Sequence, residues 1–221
     1  MLAIVGGKGG CGKTTTLGLA GALGKTRRTV LAVDADFDMP DLYLLADVDS
    51  RPGLVAIENG TNVEDAAHPP PNLSGVEVVP APQSVDETVH LPAALARLTD
   101  DADHVLVDCP AGAGPDAVTP LQVAEYALLV TTPDPASLRD TAKTAAMART
   151  LGTPVVGCVL TRANNVPSGI ERLLDCPVLV TVPAVGAPVL THKQVVRAYD
   201  TLASTILTKH LWTLSKPSHL C

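Results

Sequence analysis

The 221-residue chain has no run of Lys or Arg, and its 16 basic residues stand against 23 acidic ones, for a net charge of −7. A protein that binds nucleic acid without sequence preference needs a cationic stripe to track phosphates. Nucleic acid is therefore not expected as a direct partner. No apolar run approaches the roughly 18 residues of a membrane-spanning helix. The opening Met1 to Val5 is a short apolar stretch with no basic region or cleavage site, so the chain is not expected to be exported. Its five cysteines, Cys11, Cys109, Cys158, Cys176 and Cys221, are odd in number, widely spaced and without a CxxC pair, which excludes a disulfide framework. They read as free thiols in a reducing cytoplasm. The histidines, His68, His90, His104, His192, His210 and His219, lack metal-ligand spacing. Aromatics are only 2% of the chain. Acid carried mainly by Asp, with abundant Ala, Val and Thr, leans towards a salt-adapted proteome.

What the chain does have is 46% apolar residues, enough for one well-cored α/β domain. Short apolar runs recur at Leu2–Val5, Thr29–Val33, Gly75–Val79, His104–Val107, Tyr126–Val130, Val155–Leu160 and Val178–Val182. Fully apolar strands separated by amphipathic stretches predict a mostly parallel sheet covered on both faces. The helices are expected at Thr14–Gly24, Glu87–Leu98, Pro135–Thr150, Ser168–Leu174 (capped by Ser168) and His192–Thr208. His68-Pro69-Pro70-Pro71-Asn72 reads as a stiff surface connection. The domain is taken to span 1–207, with a short tail over 208–221.

Gly7-Lys8-Gly9-Gly10-Cys11-Gly12-Lys13-Thr14 matches G-x-x-x-x-G-K-[ST], directly after one expected strand and directly before one expected helix. Glycines let backbone amides turn inward around phosphates, and the helix N-terminus adds partial positive charge. Lys13 is expected to bridge the β and γ phosphates, Thr14 to bind Mg2+ through its hydroxyl, and Thr15 to donate to the α phosphate. Cys11 reads as the occupant of a small-residue slot. A second lysine, Lys8, opens the loop as K-G-G-C-G-K-T-T, and here the sequence resembles the deviant Walker A ATPases of the MinD/ParA family. The resemblance implies a P-loop NTPase fold, ATP and Mg2+ as ligands, slow hydrolysis stimulated by a partner, and an ATP-dependent homodimer in which Lys8 reaches the nucleotide of the other copy.

Carboxylates at the ends of parallel strands beside the P-loop strand face the binding crevice. Val30-Leu31-Ala32-Val33 runs into Asp34-Ala35-Asp36-Phe37-Asp38-Met39-Pro40-Asp41, a segment similar to the family's first switch. That similarity gives Asp34 support of the Mg2+ hydration shell and Asp36 the positioning of the attacking water. Asp38 and Asp41 read as a helix cap and a solvated charge. Val105-Leu106-Val107-Asp108-Cys109-Pro110-Ala111-Gly112 resembles Walker B with the second switch, where Asp108 holds Mg2+ through water and the Gly112 amide senses the γ phosphate. Thr131 to Asp140 also looks like the family, as do Thr161, Arg162 and Pro183, which the resemblance puts beside the adenine. Ala184 and Val185 depart from it, standing where acidic residues are usual.

The resemblance implies a switch in the spatial positioning of cellular machinery, such as a division site or pole, with a protein partner or stimulating factor that the sequence does not identify. Members of the family often end in a basic amphipathic helix that touches membrane when paired. Leu207, Leu211 and Leu214 share a helical face beside Trp212, between Lys209 and Lys216, although Pro217 ends it. The chain is thus expected in the cytoplasm, with peripheral membrane contact a weaker reading. Two relatives compete with the positioning switch. A DNA-partitioning ParA conflicts with the acidic balance, and an iron–sulfur carrier needs paired exposed cysteines. A non-hydrolysing adaptor would not retain Lys13, Thr14, Asp36 and Asp108 together.

Overall fold

The computed structural model describes residues 1–7, 12–84 and 86–208. Seven strands form one sheet: β1 (Leu2–Gly6), β2 (Val30–Asp34), β3 (Val76–Val79), β4 (His104–Asp108), β5 (Tyr126–Thr131), β6 (Val155–Thr161) and β7 (Val178–Val182). All pair in parallel, in the order β3-β2-β4-β1-β5-β6-β7. These are the seven apolar runs of the sequence, each displaced by no more than a residue at either end. Among the described residues the helices are α1 (Gly12–Gly24), α2 (Leu42–Ala46), α3 (Leu54–Glu58), α4 (Val63–Ala66), α5 (Leu91–Leu98), α6 (Val118–Val123), α7 (Pro135–Thr150), α8 (Ile170–Leu174) and α9 (Lys193–Thr208).

Successive strand residues point to opposite faces, so an entirely apolar strand must be covered on both. Leu2 and Ile4 of β1 join Leu17, Leu23 and Tyr199 in one core, under α1 and α9. Ala3 and Val5 join Leu95, Leu121 and Ala145 in the other, under α5, α6 and α7. Helix α1 can lie close to its neighbours because glycines face them. A Cβ at Gly18 would sit 2.3 Å from the ring of buried Tyr199 on α9, and one at Gly24 would sit 2.3 Å from the Ser74 carbonyl. Gly18→Ala should therefore cost about 1–3 kcal/mol through overpacking, read as a lowered urea midpoint with an unchanged slope; an unshifted midpoint would mean that α9 gives way freely.

Helix α7 begins as expected, with Pro135 in its first turn and the Asp134 carboxylate accepting from the amides of Ala136 and Ser137, both at 3.0 Å. Two expected starts are corrected. The fifth helix begins at Leu91 rather than Glu87, because the Glu87 carboxylate is held by Arg51 at 2.7 Å and by the Gln83 amide at 2.9 Å. Ser168 does not cap α8. Gly169, with φ at +88°, is the capping residue, and Glu171 reaches forward to accept from the Val178 amide at 2.8 Å rather than back along its own helix. His68 forms an antiparallel bridge with Val78, so the proline-rich connection is fastened beside β3. Leu207 packs against the core, whereas the rest of the expected tail face lies outside the described residues. No described helix is long and apolar enough to cross a membrane.

Candidate nucleotide site

The sheet order puts β1 between β4 and β5, with β2 beyond β4. The loop after β1 therefore leaves the sheet next to the ends of β4 and β2, a crevice of the kind in which open parallel sheets bind ligands. Register places Asp108 beside both Ile4 and Asp34. Three backbone bonds lock these strand ends: Cys109 N–H to Ile4 O at 3.0 Å, Ala35 N–H to Asp108 O at 2.9 Å and Gly112 N–H to Gly6 O at 2.8 Å. Gly112 turns with φ at +87°, a conformation that favours glycine. Two loop glycines are required by packing. A Cβ at Gly7 would meet α7 at Thr141 Oγ1 and the Ser137 carbonyl, and one at Gly12 would sit 2.7 Å from Asp108 Oδ1. Lys8, Gly9, Gly10 and Cys11 lie outside the described residues.

Lys13, on the first turn of α1, gathers the carboxylates. Its Nζ lies 2.9 Å from Asp36 Oδ2, 3.2 Å from Asp41 Oδ1 and 3.7 Å from Asp108 Oδ2. Burial pulls the ammonium pKa down, but the charges of Asp108, Asp36 and Asp34 and the hydrogen bond to Asp36 outweigh it, so the net shift is upward and Lys13 stays charged. Asp108 is fully buried, and burial together with the charge of Asp34 pushes its pKa up to about 8. Burial likewise raises Asp34, to about 6, even though its oxygens accept from the amides of Asp36 and Leu42, each at 3.0 Å. Asp34 thus fastens the backbone of the segment after β2 at two points.

The structure brings Gly7, Gly12, Lys13, Asp34, Asp36, Asp108 and Gly112 to one end of the sheet, with Thr14 partly buried on the same helical turn as Lys13. Thr15 is buried, its hydroxyl 3.3 Å from that of Tyr199. Thr161 ends β6, its hydroxyl donating to Thr131 O at 3.1 Å; Arg162 follows with φ at +55°, and Pro183 follows β7. These three share the carboxyl edge of the sheet but stand at strands two and three places from β1.

Two residues of the site were missed. Thr16 donates to Asp108 Oδ1 at 3.2 Å, fixing that carboxylate from α1; the run of three threonines was the only signal. Asp41 is not a solvated charge but an ion-pair partner of Lys13.

Asp108 Oδ2 is buried and has no hydrogen-bond partner, and three carboxylates lie within 4 Å of one ammonium with Asp34 close behind. Oxygen donors with excess negative charge fit Mg2+. Among the described residues no group of three or more acidic, His or Cys side chains could hold a metal by itself.

Fold and site together define a P-loop nucleotide-binding protein. Residues 2–201 match the CobQ/CobB/MinD/ParA nucleotide binding domain, and the chain belongs to that family. It is 35% identical over 196 residues to an ATP-binding protein of Methanocaldococcus jannaschii, covering 83% of this chain and 74% of that one. Among solved structures it is similar to the cell division ATPase MinD of Pyrococcus furiosus, with 33% identity and a TM-score of 0.82 over 94% of this chain and 98% of the other. It is also similar to the septum site-determining protein MinD of Pyrococcus horikoshii complexed with Mg-ADP, with 30% identity and a TM-score of 0.80 over 93% and 94% of the two chains.

Proposed function

We propose that the chain is an ATPase that works as a dimerising switch in the spatial positioning of cellular machinery. The observation that carries this reading is the convergence of Lys13, Asp36 and Asp108 at one crevice within a MinD-like fold. ATP and Mg2+ are its ligands. The backbone of Gly7 to Gly12, including Gly9, Gly10 and Cys11, cradles the phosphates, and Lys13 neutralises the β and γ groups. Thr14 and Asp108 hold Mg2+, with Asp34 supporting its water shell; the cation supplies charge neutralisation on the phosphates. Asp36 orients a water in line with the γ-phosphorus. As the water oxygen bonds to phosphorus, the bond to the β–γ bridging oxygen breaks, giving ADP and inorganic phosphate. Lys8 from the second copy stabilises the developing charge, which makes dimerisation and catalysis one event. Thr15 contacts the α phosphate, the Gly112 amide senses the γ phosphate, and Thr161, Arg162 and Pro183 form the adenine side.

Positioning is favoured over the alternatives by the overall charge and by Cys109. That sulfur is buried and directed at the Val107 carbonyl, and burial raises its pKa well above the ordinary thiol value, which suits a core residue rather than a ligand bridging two subunits. The protein acts in the cytoplasm, and the partner that stimulates it or receives the dimer, a membrane surface included, is met by the closed form.

Molecular mass in solution tests the switch. Wild type should be monomeric with ADP and dimeric with ATP and Mg2+. Asp36→Ala should accumulate the ATP dimer because it binds but does not turn over, and Lys8→Ala should lose the dimer. A mass indifferent to nucleotide would remove the switch and leave a nucleotide-binding adaptor.

A further inference from the structure

Helix α2 carries a contact that its sequence would not suggest. Asp41 stands at its N-cap position, where a carboxylate ordinarily accepts from the first free amides of the helix. It makes no such bond. The first helical amide, Leu42 N–H, lies one position before those an N-cap carboxylate reaches, and Asp34 Oδ2 accepts from it at 3.0 Å from the end of β2. The Asp41 carboxylate turns to Lys13 instead, its Oδ1 buried and 3.2 Å from the ammonium, although the Asp41 side chain as a whole is 43% exposed. Asp36 takes the same ammonium at 2.9 Å and holds the Met39 amide at 3.2 Å. The lysine expected to meet phosphate is thus tied to both ends of the segment 36–41, and that segment leads directly into α2.

We propose that Asp41 is a counterion that competes with nucleotide phosphate for Lys13, so that phosphate binding loosens the segment that leads into α2. The inference rests on the nucleotide reading of the site and adds a regulatory contact to it. Phosphate and Asp41 are both anions seeking one ammonium, and the Asp41 contact, 3.2 Å long and without hydrogen-bond geometry, is the weaker of the two. When phosphate takes Lys13, the start of α2 loses its ion pair to α1, while Asp34 still holds the Leu42 amide and Leu42 and Ala46 stay packed in the core. Motion is therefore expected over 38–46, a stretch whose surface carries the exposed side chains of Met39, Leu44 and Leu45.

The test is ADP binding without Mg2+, followed by calorimetry, for wild type, Asp41→Asn and Asp41→Ser. All three residues are good N-caps, so α2 keeps its propensity. Removing this competitor should tighten ADP binding about three-fold. Hydrogen exchange supplies a second readout: amides over 38–46 should exchange faster on adding ADP to wild type, and should already be fast in both variants without it. Unchanged or weaker ADP binding by either variant, or exchange over 38–46 that ignores the substitution, would overturn the proposal. Failure of the wild type to bind ADP would instead remove the nucleotide reading itself.

Discussion

Lys13→Ala is expected to abolish productive nucleotide binding, weakening ADP and ATP by about 100-fold or more, equivalent to about 3 kcal/mol. Three features make the effect this large. The ammonium is nearly buried, at 11% exposed, so its contact with phosphate is only weakly screened by solvent. Surrounding carboxylates keep its pKa above the ordinary value, so it is charged throughout the accessible pH range. With the lysine gone, incoming phosphate faces Asp34, Asp36, Asp41 and Asp108 with no protein cation that the structure places among them. The variant should remain folded, because burial raises the Asp108 pKa and the acid can take up a proton once the lysine is gone rather than stay stranded as a bare buried charge. Calorimetric titration with ADP and Mg2+ measures the loss, with thermal unfolding as the check on folding. A folded variant that binds ADP within about three-fold of wild type would show that the lysine is structural.

Much of this site was legible in the sequence because its signals are local. A glycine-rich turn between an apolar strand and a helix, and aspartates that end two other strands, need no tertiary information beyond a parallel sheet. The strands were readable for a related reason: β1, β2 and β4 are buried along their whole length, so they are nearly all apolar and their ends are sharp. The short helices α2, α3, α4 and α6 were not seen, since four to six residues cannot display a 3.6-residue period. Asp41 and Thr16 were misread or overlooked for another reason. Local rules leave Asp41 as a solvated charge, but the Lys13 ammonium, 28 positions earlier in the chain, lies in reach only once β1, α1 and β2 have folded together. Thr16 sits on the same helix as the phosphate residues, yet its partner Asp108 is 92 positions away. The start of α5 failed similarly, because Glu87 is held by Arg51 instead of entering a helical turn.

The second large effect concerns stability, and it runs opposite to function. Asp108 has an ordinary pKa of 3.8 and a folded value of about 8. A carboxylic acid whose pKa is raised on folding binds its proton more tightly when folded. Its cost is absent below pH 3.8, grows as pH rises and is complete above pH 8. At 1.36 kcal/mol per pH unit this amounts to about 6 kcal/mol as an upper bound. Asp34, raised to about 6, adds to it in the same direction over pH 4 to 6. The protein without nucleotide should therefore lose stability from pH 5 to pH 8. Asp108→Asn removes the ionisable group while its side-chain oxygen can still accept from Thr16. It should raise the urea-unfolding free energy at pH 8 by about 2 kcal/mol or more, with a smaller gain at pH 5. Adding Mg2+ and ADP should reverse the ranking, because a cation that pairs with the Asp108 carboxylate stabilises only the wild type by mass action. If the variant is no more stable than wild type at pH 8, the carboxylate is not held against its own burial. If both gain equally from Mg2+, Asp108 is not a residue that holds the metal. The two outcomes are separable, so one pair of proteins tests both the electrostatics of the buried site and the role proposed for its deepest acid.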